Sequence, residues 1–309
     1  MKKSMPSAAL LDNRACLRLS GEDAMALLQG LVSNDLNRLT PDRAIYTTLL
    51  TPQGKFLFDF FVHADGAALI LETAGDRLAD LERRLTLYRL RSDVTIEPVE
   101  PAPLVAVLFG DGAAALADLP AEPGATREAD GLTWTVDPRL PALGVWLRGA
   151  PEDVRARLDA AGLELVDATD FNRHRITLAV PEAGSDLIVD RSILLEAGLD
   201  QLNGVAFDKG CFVGQELTAR TRYRGLVKRR LVPVELVGAS VEPGFAIMAG
   251  EVEAGEIRST TGDLAMALLR LDRLGGALEA GGGAVLPRPA FWQTDLIERL
   301  AETLEQEKG

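Results

Sequence analysis

Between residues 104 and 166 the apolar residues fall into an order that few folds accept. Periodicity gives strand 104–109, helix 111–119, strands 132–136 and 144–147, helix 151–161 and strand 163–166. That is β-α-β-β-α-β, the ferredoxin-like order. Pro98 and Pro101 punctuate the chain just before this unit. A chain of 309 residues exceeds one typical core, so two or three domains are expected. The unit carries few side chains suited to chemistry and reads as scaffold.

The flanks read differently. Residues 8–20 hold two short strand-like runs broken by Asp12-Asn13-Arg14. Ser20 with Asp23 three residues on reads as an N-cap with an acidic partner, and Ala24, Leu27, Leu28 and Leu31 follow at helical spacing. Asn34-Asp35 form a polar corner, either a simple turn or a ligand contact. Strands are expected at 44–50, 55–63 and 67–72, the last two joined by an Asp65-Gly66 turn. In the second, Phe56, Phe58 and Phe60 alternate with Leu57, Asp59 and Phe61. Asp59 is thus a carboxylate on an apolar face. Leaving it buried and unpaired is costly, so it needs a partner, a proton, a pocket or a solvated sheet end. Leu78, Leu81, Leu85 and Tyr88 define an amphipathic helix over 76–91, and a strand follows at 94–99. Residues 168–178 are helical, carry Arg173 and Arg175, and break at Pro181-Glu182-Ala183-Gly184. Residues 184–205 show no firm pattern. Short strands between glycine turns over 229–290 suggest a small all-β domain, and 293–307 a charged helix or tail.

A net charge of −13 argues against nucleic acid as a partner. Nothing approaches ~18 uninterrupted apolar residues, so no membrane span is expected. Met1-Lys2-Lys3 is basic, but no signal-peptide apolar core follows, and a cytoplasmic location is the expectation. Cys16 and Cys211 are the two cysteines and His63 and His174 the two histidines. That supports neither a disulfide framework nor a multi-His metal centre, so no resident metal is expected. Structural roles are expected for both histidines.

The densest chemistry lies in Lys209-Gly210-Cys211-Phe212-Val213-Gly214-Gln215-Glu216, which leads into a helical run at 217–224. The two glycines permit tight turns. Cys211 near a helix N-terminus, with Lys209 two residues away, suits a thiolate. The spacing fits a reactive or ligand-gripping thiol, and equally a buried structural cysteine in a glycine-containing turn. Arg220, Arg222, Arg224, Lys228, Arg229 and Arg230 follow as a local basic cluster, either a solvated helix face or an anion site for carboxylate tails, the second favoured because nearby stretches supply few acidic partners.

This octapeptide, continued by Leu217-Thr218-Ala219-Arg220-Thr221 and by Arg229-Arg230-Leu231-Val232-Pro233-Val234, resembles the signature of the folate-binding YgfZ family. That family is related to the T-protein (aminomethyltransferase) of the glycine cleavage system. Residues 28–35 and 51–59 resemble its two earlier motifs, and Leu87-Tyr88-Arg89-Leu90-Arg91 and Pro181-Glu182 follow in order. The ending Gln215-Glu216-Leu217-Thr218-Ala219-Arg220-Thr221 looks most like the mitochondrial-type branch, which assists iron–sulfur protein maturation. The resemblance implies an α+β fold of three modules around a central opening. Residues 1–98 plus 167–227 would form a discontinuous folate-binding domain, 99–166 the ferredoxin-like domain, 228–290 a C-terminal β-barrel, and 291–309 a helix or tail. It also implies tetrahydrofolate, or a derivative, in the opening beside Asn34, Asp59, Arg175 and Glu182. The working groups of the motif would be Cys211, Lys209, Gln215 and Glu216, and the partners iron–sulfur assembly or client proteins.

One departure bears on the chemistry. The aminomethyltransferase relatives carry adjacent aspartates where this chain reads Phe58-Asp59, and Thr177 stands where a second acid is expected. Both changes point away from aminomethyl transfer and toward the maturation branch. Three functions remain distinct: a folate-dependent accessory protein for iron–sulfur clusters, a one-carbon transferase, and a non-catalytic adaptor that docks an acidic partner through the basic cluster.

Overall fold

The computed structural model describes residues 5–225 and 227–306. Met1-Lys2-Lys3 and positions 307–309 of the expected tail lie outside the described residues. A five-stranded antiparallel sheet runs in the order Ile45–Leu50, Phe56–Asp65, Ala68–Ala74, Arg14–Ser20, Thr95–Pro98. Helices Ala24–Leu31 and Leu78–Arg89 bury Leu28, Leu31, Leu81 and Leu85 against Leu17, Leu19, Phe60 and Leu71. The three-and-four spacing of those leucines is what makes one face of each helix apolar. Ser20 is not a cap: it closes its strand, and Asp23 holds the N-cap position. Asp23 turns its carboxylate to the backbone N–H of Asp93 at 2.8 Å.

The phenylalanines do not share one face. Leu49 opposes Phe58 but Leu50 opposes Phe56, so Leu57 is the extra residue of a bulge. Phe56 therefore joins the core of Tyr46 and Phe61, while Phe58 and Phe60 stay with the helices.

The second sheet has six strands: Glu164–Leu165, Ser7–Leu10, Leu104–Phe109, Val145–Gly149, Leu132–Val136, Thr126–Ala129. Four of these make the ferredoxin-like order, and two are additions. Ser7–Leu10, expected with residues 1–98, pairs parallel to Glu164–Leu165 and antiparallel to Leu104–Phe109. Its Ala8 and Ala9 are fully buried, small enough to sit centrally with both faces covered. Thr126–Ala129 returns on Leu132–Val136 through Asp130-Gly131, both with positive φ, a hairpin turn legible in the sequence. The helix expected over 111–119 shrinks to Ala113–Leu116 between Gly112 and Asp118, both left-handed.

The third module is a closed barrel of strands Arg229–Val237, Leu264–Arg270, Val252–Thr261, Ala246–Ala249, Glu279–Ala280 and Gly283–Pro287. Helix Thr294–Gln306 packs on it through Leu296.

Residues 184–205 form irregular turns, yet Leu187, Leu194, Leu195, Leu199 and Leu202 are buried with Tyr46, Trp146 and Leu231, drawn from all three modules. The segment mixes those buried leucines with exposed Asp190, Arg191, Gln201 and Asn203, and turns at Gly184 and Gly198 interrupt any regular face. Its backbone is paired outward, with Phe56 N to Ser192 O (3.0 Å), Ala206 N to Ser33 O (3.0 Å) and Leu231 N to Glu196 O (2.8 Å). At its start the buried Arg175, on helix Ala168–Thr177, pairs with the buried Asp186, which also accepts from Ser259 of the barrel at 2.6 Å.

The seam between the first two modules depends on Gly124. It sits at φ +78°, and a Cβ there would lie 2.0 Å from the carbonyl oxygen of Ala44, whose own N–H donates to Gly124 O at 2.8 Å. Gly124→Ala is expected to cost at least about 2 kcal/mol in urea unfolding. Gly162→Ala, left-handed but in open space, is expected to cost about 1 kcal/mol.

Candidate functional site

The Lys209–Glu216 loop is pinned at both ends. On the entry side Arg38 donates to both carboxylate oxygens of Asp208 at 2.7 and 2.9 Å. The Lys209 ammonium donates to the carbonyls of Gln29 (2.8 Å), Val32 (2.6 Å) and Asn34 (2.8 Å). These acceptors lie at and just beyond the C-terminus of helix Ala24–Leu31, where carbonyls lack helical partners and the dipole favours a cation. Burial pulls the ammonium down to about 8, with the Asp35 charge opposing. Lys209 is thus a clamp between motif and first helix rather than a neighbour that activates the thiol.

On the exit side Gly214, at φ +81°, caps helix Gln215–Tyr223. A Cβ on Gly214 would stand 2.4 Å from the carbonyl oxygen of Thr51, and one on Gly54 would stand 2.7 Å from Cβ of Leu217. The two glycine-bearing motifs therefore touch at backbone distance. Gln215 accepts from the backbone N–H of Phe212 through Oε1 at 3.2 Å and so stiffens the turn. Glu216 is exposed in the first turn of the helix. Between the pins Cys211 is exposed, so the reading as a buried structural cysteine falls; Cys16 is the buried one.

Asp59, Arg175 and Glu182 come together around a cavity of about 340 Å³. Asp59 accepts from the Tyr46 hydroxyl at 3.0 Å. Burial, reinforced by the Asp59 charge, pushes the Tyr46 phenol well above its ordinary value, so it stays a donor. Arg175 also donates to Val180 O (2.9 Å) and Asn172 Oδ1 (3.0 Å), and lies 3.5 Å from Glu182. Asn34 is elsewhere. It is buried, donates to the carbonyls of Tyr46 (2.8 Å) and Asn203 (2.7 Å), and accepts from Asp35 N, so the polar corner is a built turn.

The scaffold reading of the middle module missed part of this wall. Arg139 and Trp146 line the cavity with Arg14 and Phe171. Asp137 grips Arg139 at 2.8 and 3.1 Å and accepts from the Trp146 indole at 2.8 Å. The Arg14 guanidinium lies 5.0 Å from the Trp146 ring centre. The one signal in the sequence was the Asp137-Pro138-Arg139 corner next to a strand with a tryptophan.

Both histidines lie away from the Lys209–Glu216 loop and outside the lining of the Asp59 cavity. His63 is buried with Glu72 at 3.8 Å, and burial lowers it well below its ordinary value; His174 contacts Ala142 O at 3.0 Å. In the basic cluster Arg220, Arg222, Arg224, Lys228 and Arg229 are exposed. Arg230 is not part of that surface: it is buried and donates to Gln201.

A family model described as the CAF17 C-terminal beta-barrel domain matches residues 228–294. The chain is 33% identical to the "Iron-sulfur cluster assembly factor IBA57, mitochondrial" of Mus musculus, over 87% of this chain and 78% of the relative. It is also 33% identical to the protein of the same name from Homo sapiens, over 92% and 85%. Both relatives are named as mitochondrial, which overturns the cytoplasmic location expected from the sequence. Among solved structures, the glycine cleavage system aminomethyltransferase T from Bartonella henselae superposes with a TM-score of 0.77 at 16% identity, over 94% of this chain and 86% of that one. The fold is therefore aminomethyltransferase-like, with the closed barrel at its C-terminal end.

Lys209→Met leaves three carbonyls without their donor and is expected to lower stability by about 2 kcal/mol in urea unfolding. The pH dependence has a definite sign. The folded value of about 8 lies below the unfolded 10.5, so between them the unfolded chain holds more protons. Over that window the wild type is expected to gain stability relative to Lys209→Met as pH rises.

Proposed function

Because the chain belongs to the family of iron–sulfur cluster assembly factor IBA57, we propose that it serves the assembly or repair of iron–sulfur clusters, with Cys211 as its working thiol. The observation that carries this reading is an exposed thiol on a loop fixed at both ends, by Lys209 on one side and by Gly214 and Gln215 on the other. A thiol so held has little freedom left to lose when it meets a ligand. Clusters are commonly held by four thiolates. One exposed cysteine supplies one, so the remaining donors belong to a partner protein that brings or takes the cluster as cargo.

The reading includes tetrahydrofolate, or a derivative, in the cavity beside Asp59, in keeping with the resemblance of the motifs to the YgfZ family. What supports it is the make-up of the wall. Trp146 and Phe171 contribute aromatic surface to it. Tyr46 occupies one oxygen of Asp59 and leaves the other for a donor on the ligand. Arg14, which also pairs with Glu72 at 3.2 Å, adds a cation to the wall. One-carbon transfer is less well served. Phe58 packs in the core under the Arg77 guanidinium, 4.6 Å from the ring centre, and Thr177 donates to its own helix at Arg173 O. Neither position offers the missing acid.

In a strain lacking the protein, Cys211→Ala is expected to abolish recovery of cluster-dependent enzyme activity while the variant accumulates normally. Full recovery would remove the thiol from the mechanism. Anaerobic calorimetry with tetrahydrofolate is expected to give saturable binding, weakened about tenfold or more by Asp59→Ala. Equal affinity in the two proteins would move the folate away from this cavity.

A further inference from the structure

A second cavity, of about 300 Å³, lies between the irregular 186–197 segment and the barrel. Asp186 lines it, and Asp186 is the residue bonded to Arg175 of the first cavity. The Arg175–Asp186 pair is thus a partition between the two spaces. Four cations converge on the second: Lys55, Arg191, Arg229 and Arg258. Of its three acids, Asp186 is already engaged by Arg175 and Ser259, and Asp190 is exposed. Burial pushes the third, Glu196, up from its ordinary value, against the pull of Arg229, Lys55 and Arg258.

Arg258 is the unusual member. It is 8% exposed, yet its Nε and Nη1 make no hydrogen bond among the described residues. Its ion pair is a loose one to Glu256 at 3.4 Å. It also occupies a β-bulge: Ile257 opposes Ala267 and Ser259 opposes Met266, so Arg258 has no partner across the strand. A bulge re-aims side chains that regular alternation would place on opposite faces. Here it brings Arg258 to the cavity while Ser259 reaches Asp186 beside it. A buried guanidinium short of hydrogen-bond acceptors is costly: burial holds Arg258 below its ordinary value, and repulsion from Arg191 and Arg229 works against the attraction of Glu256 and Asp186. A fold that needed this strand only for packing would be better served by an apolar residue here.

We infer that this cavity is a binding site for a small oxyanion, a phosphate or a carboxylate, gripped by Arg258 from within and by Arg191, Arg229 and Lys55 at its mouth. Such an anion gives the Arg258 guanidinium a counter-charge and offsets the repulsion among the arginines. The site is distinct from the cavity at Asp59 and does not depend on folate or on Cys211.

The test is calorimetric titration of the full chain at low chloride with inorganic phosphate and, separately, with citrate. Saturable binding of one of them at a single site is expected, and which one binds tighter identifies the class. Arg258→Gln is expected to weaken it about tenfold or more, and Arg191→Gln severalfold. Arg191 is exposed, so that variant keeps its fold whatever becomes of the buried one. Arg288→Gln, which removes an exposed cation outside the cavity lining, is expected to leave binding unchanged. Failure of both anions to saturate would overturn the inference. So would equal affinity in wild type, Arg258→Gln and Arg191→Gln, or an equal loss in Arg288→Gln.

Discussion

The pair of Arg175 and Asp186 is the constraint on which the rest of the molecule depends. Their exposures are 3% and 1%, so both charges have lost their water. Such a pair survives only where nearly every remaining donor and acceptor is used. Here Asp186 accepts from Arg175, from Ser259 of the barrel and from the backbone N–H of Glu182. Arg175 also serves Val180 and Asn172. One buried carboxylate thereby ties the helix Ala168–Thr177, the irregular segment after it and the barrel into a single junction. The same pair stands between the two cavities, so the interaction that closes the ring of modules also divides its interior.

The thiol motif draws on the same economy. Three of its four notable groups hold backbone in place or stand in solvent, and one is free for chemistry. Lys209 was attractive as an activator because of its nearness in sequence, but its ammonium serves the unsatisfied carbonyls after helix Ala24–Leu31. Gln215 closes a turn, and Gly214 exists so that the loop can lie on Thr51. Proximity along the chain is weak evidence of chemical partnership when a helix end nearby needs a cation.

Regular elements with one apolar face were legible from the residues alone. Leu81 and Leu85, the run at Leu104–Phe109 and the helix Pro151–Ala161 all lie where periodicity put them. Three things were not legible. The 184–205 segment mixes buried leucines with exposed Asp190, Arg191 and Gln201 and is interrupted by glycine turns, so no single face could be assigned to it. Ser7–Leu10 looks like any short edge strand until its alanines are seen to fit a crowded centre. Arg139 and Trp146 belong to a module with few reactive groups, and only the fold brings them to the wall shared with Asp59. Arg258 shows the same limit at a finer scale: a single bulge decides which face it takes, and no local sequence rule announces the bulge.

The most direct measurement is a double-mutant cycle in urea on Arg175→Met and Asp186→Leu. If the pair joins the modules, each single change strands a buried charge and costs about 3–5 kcal/mol, while the double variant recovers much of that loss. Small and additive losses in the two single variants would contradict the account. They would mean that apolar packing around Leu187, Leu194 and Leu199 holds the ring together without the pair.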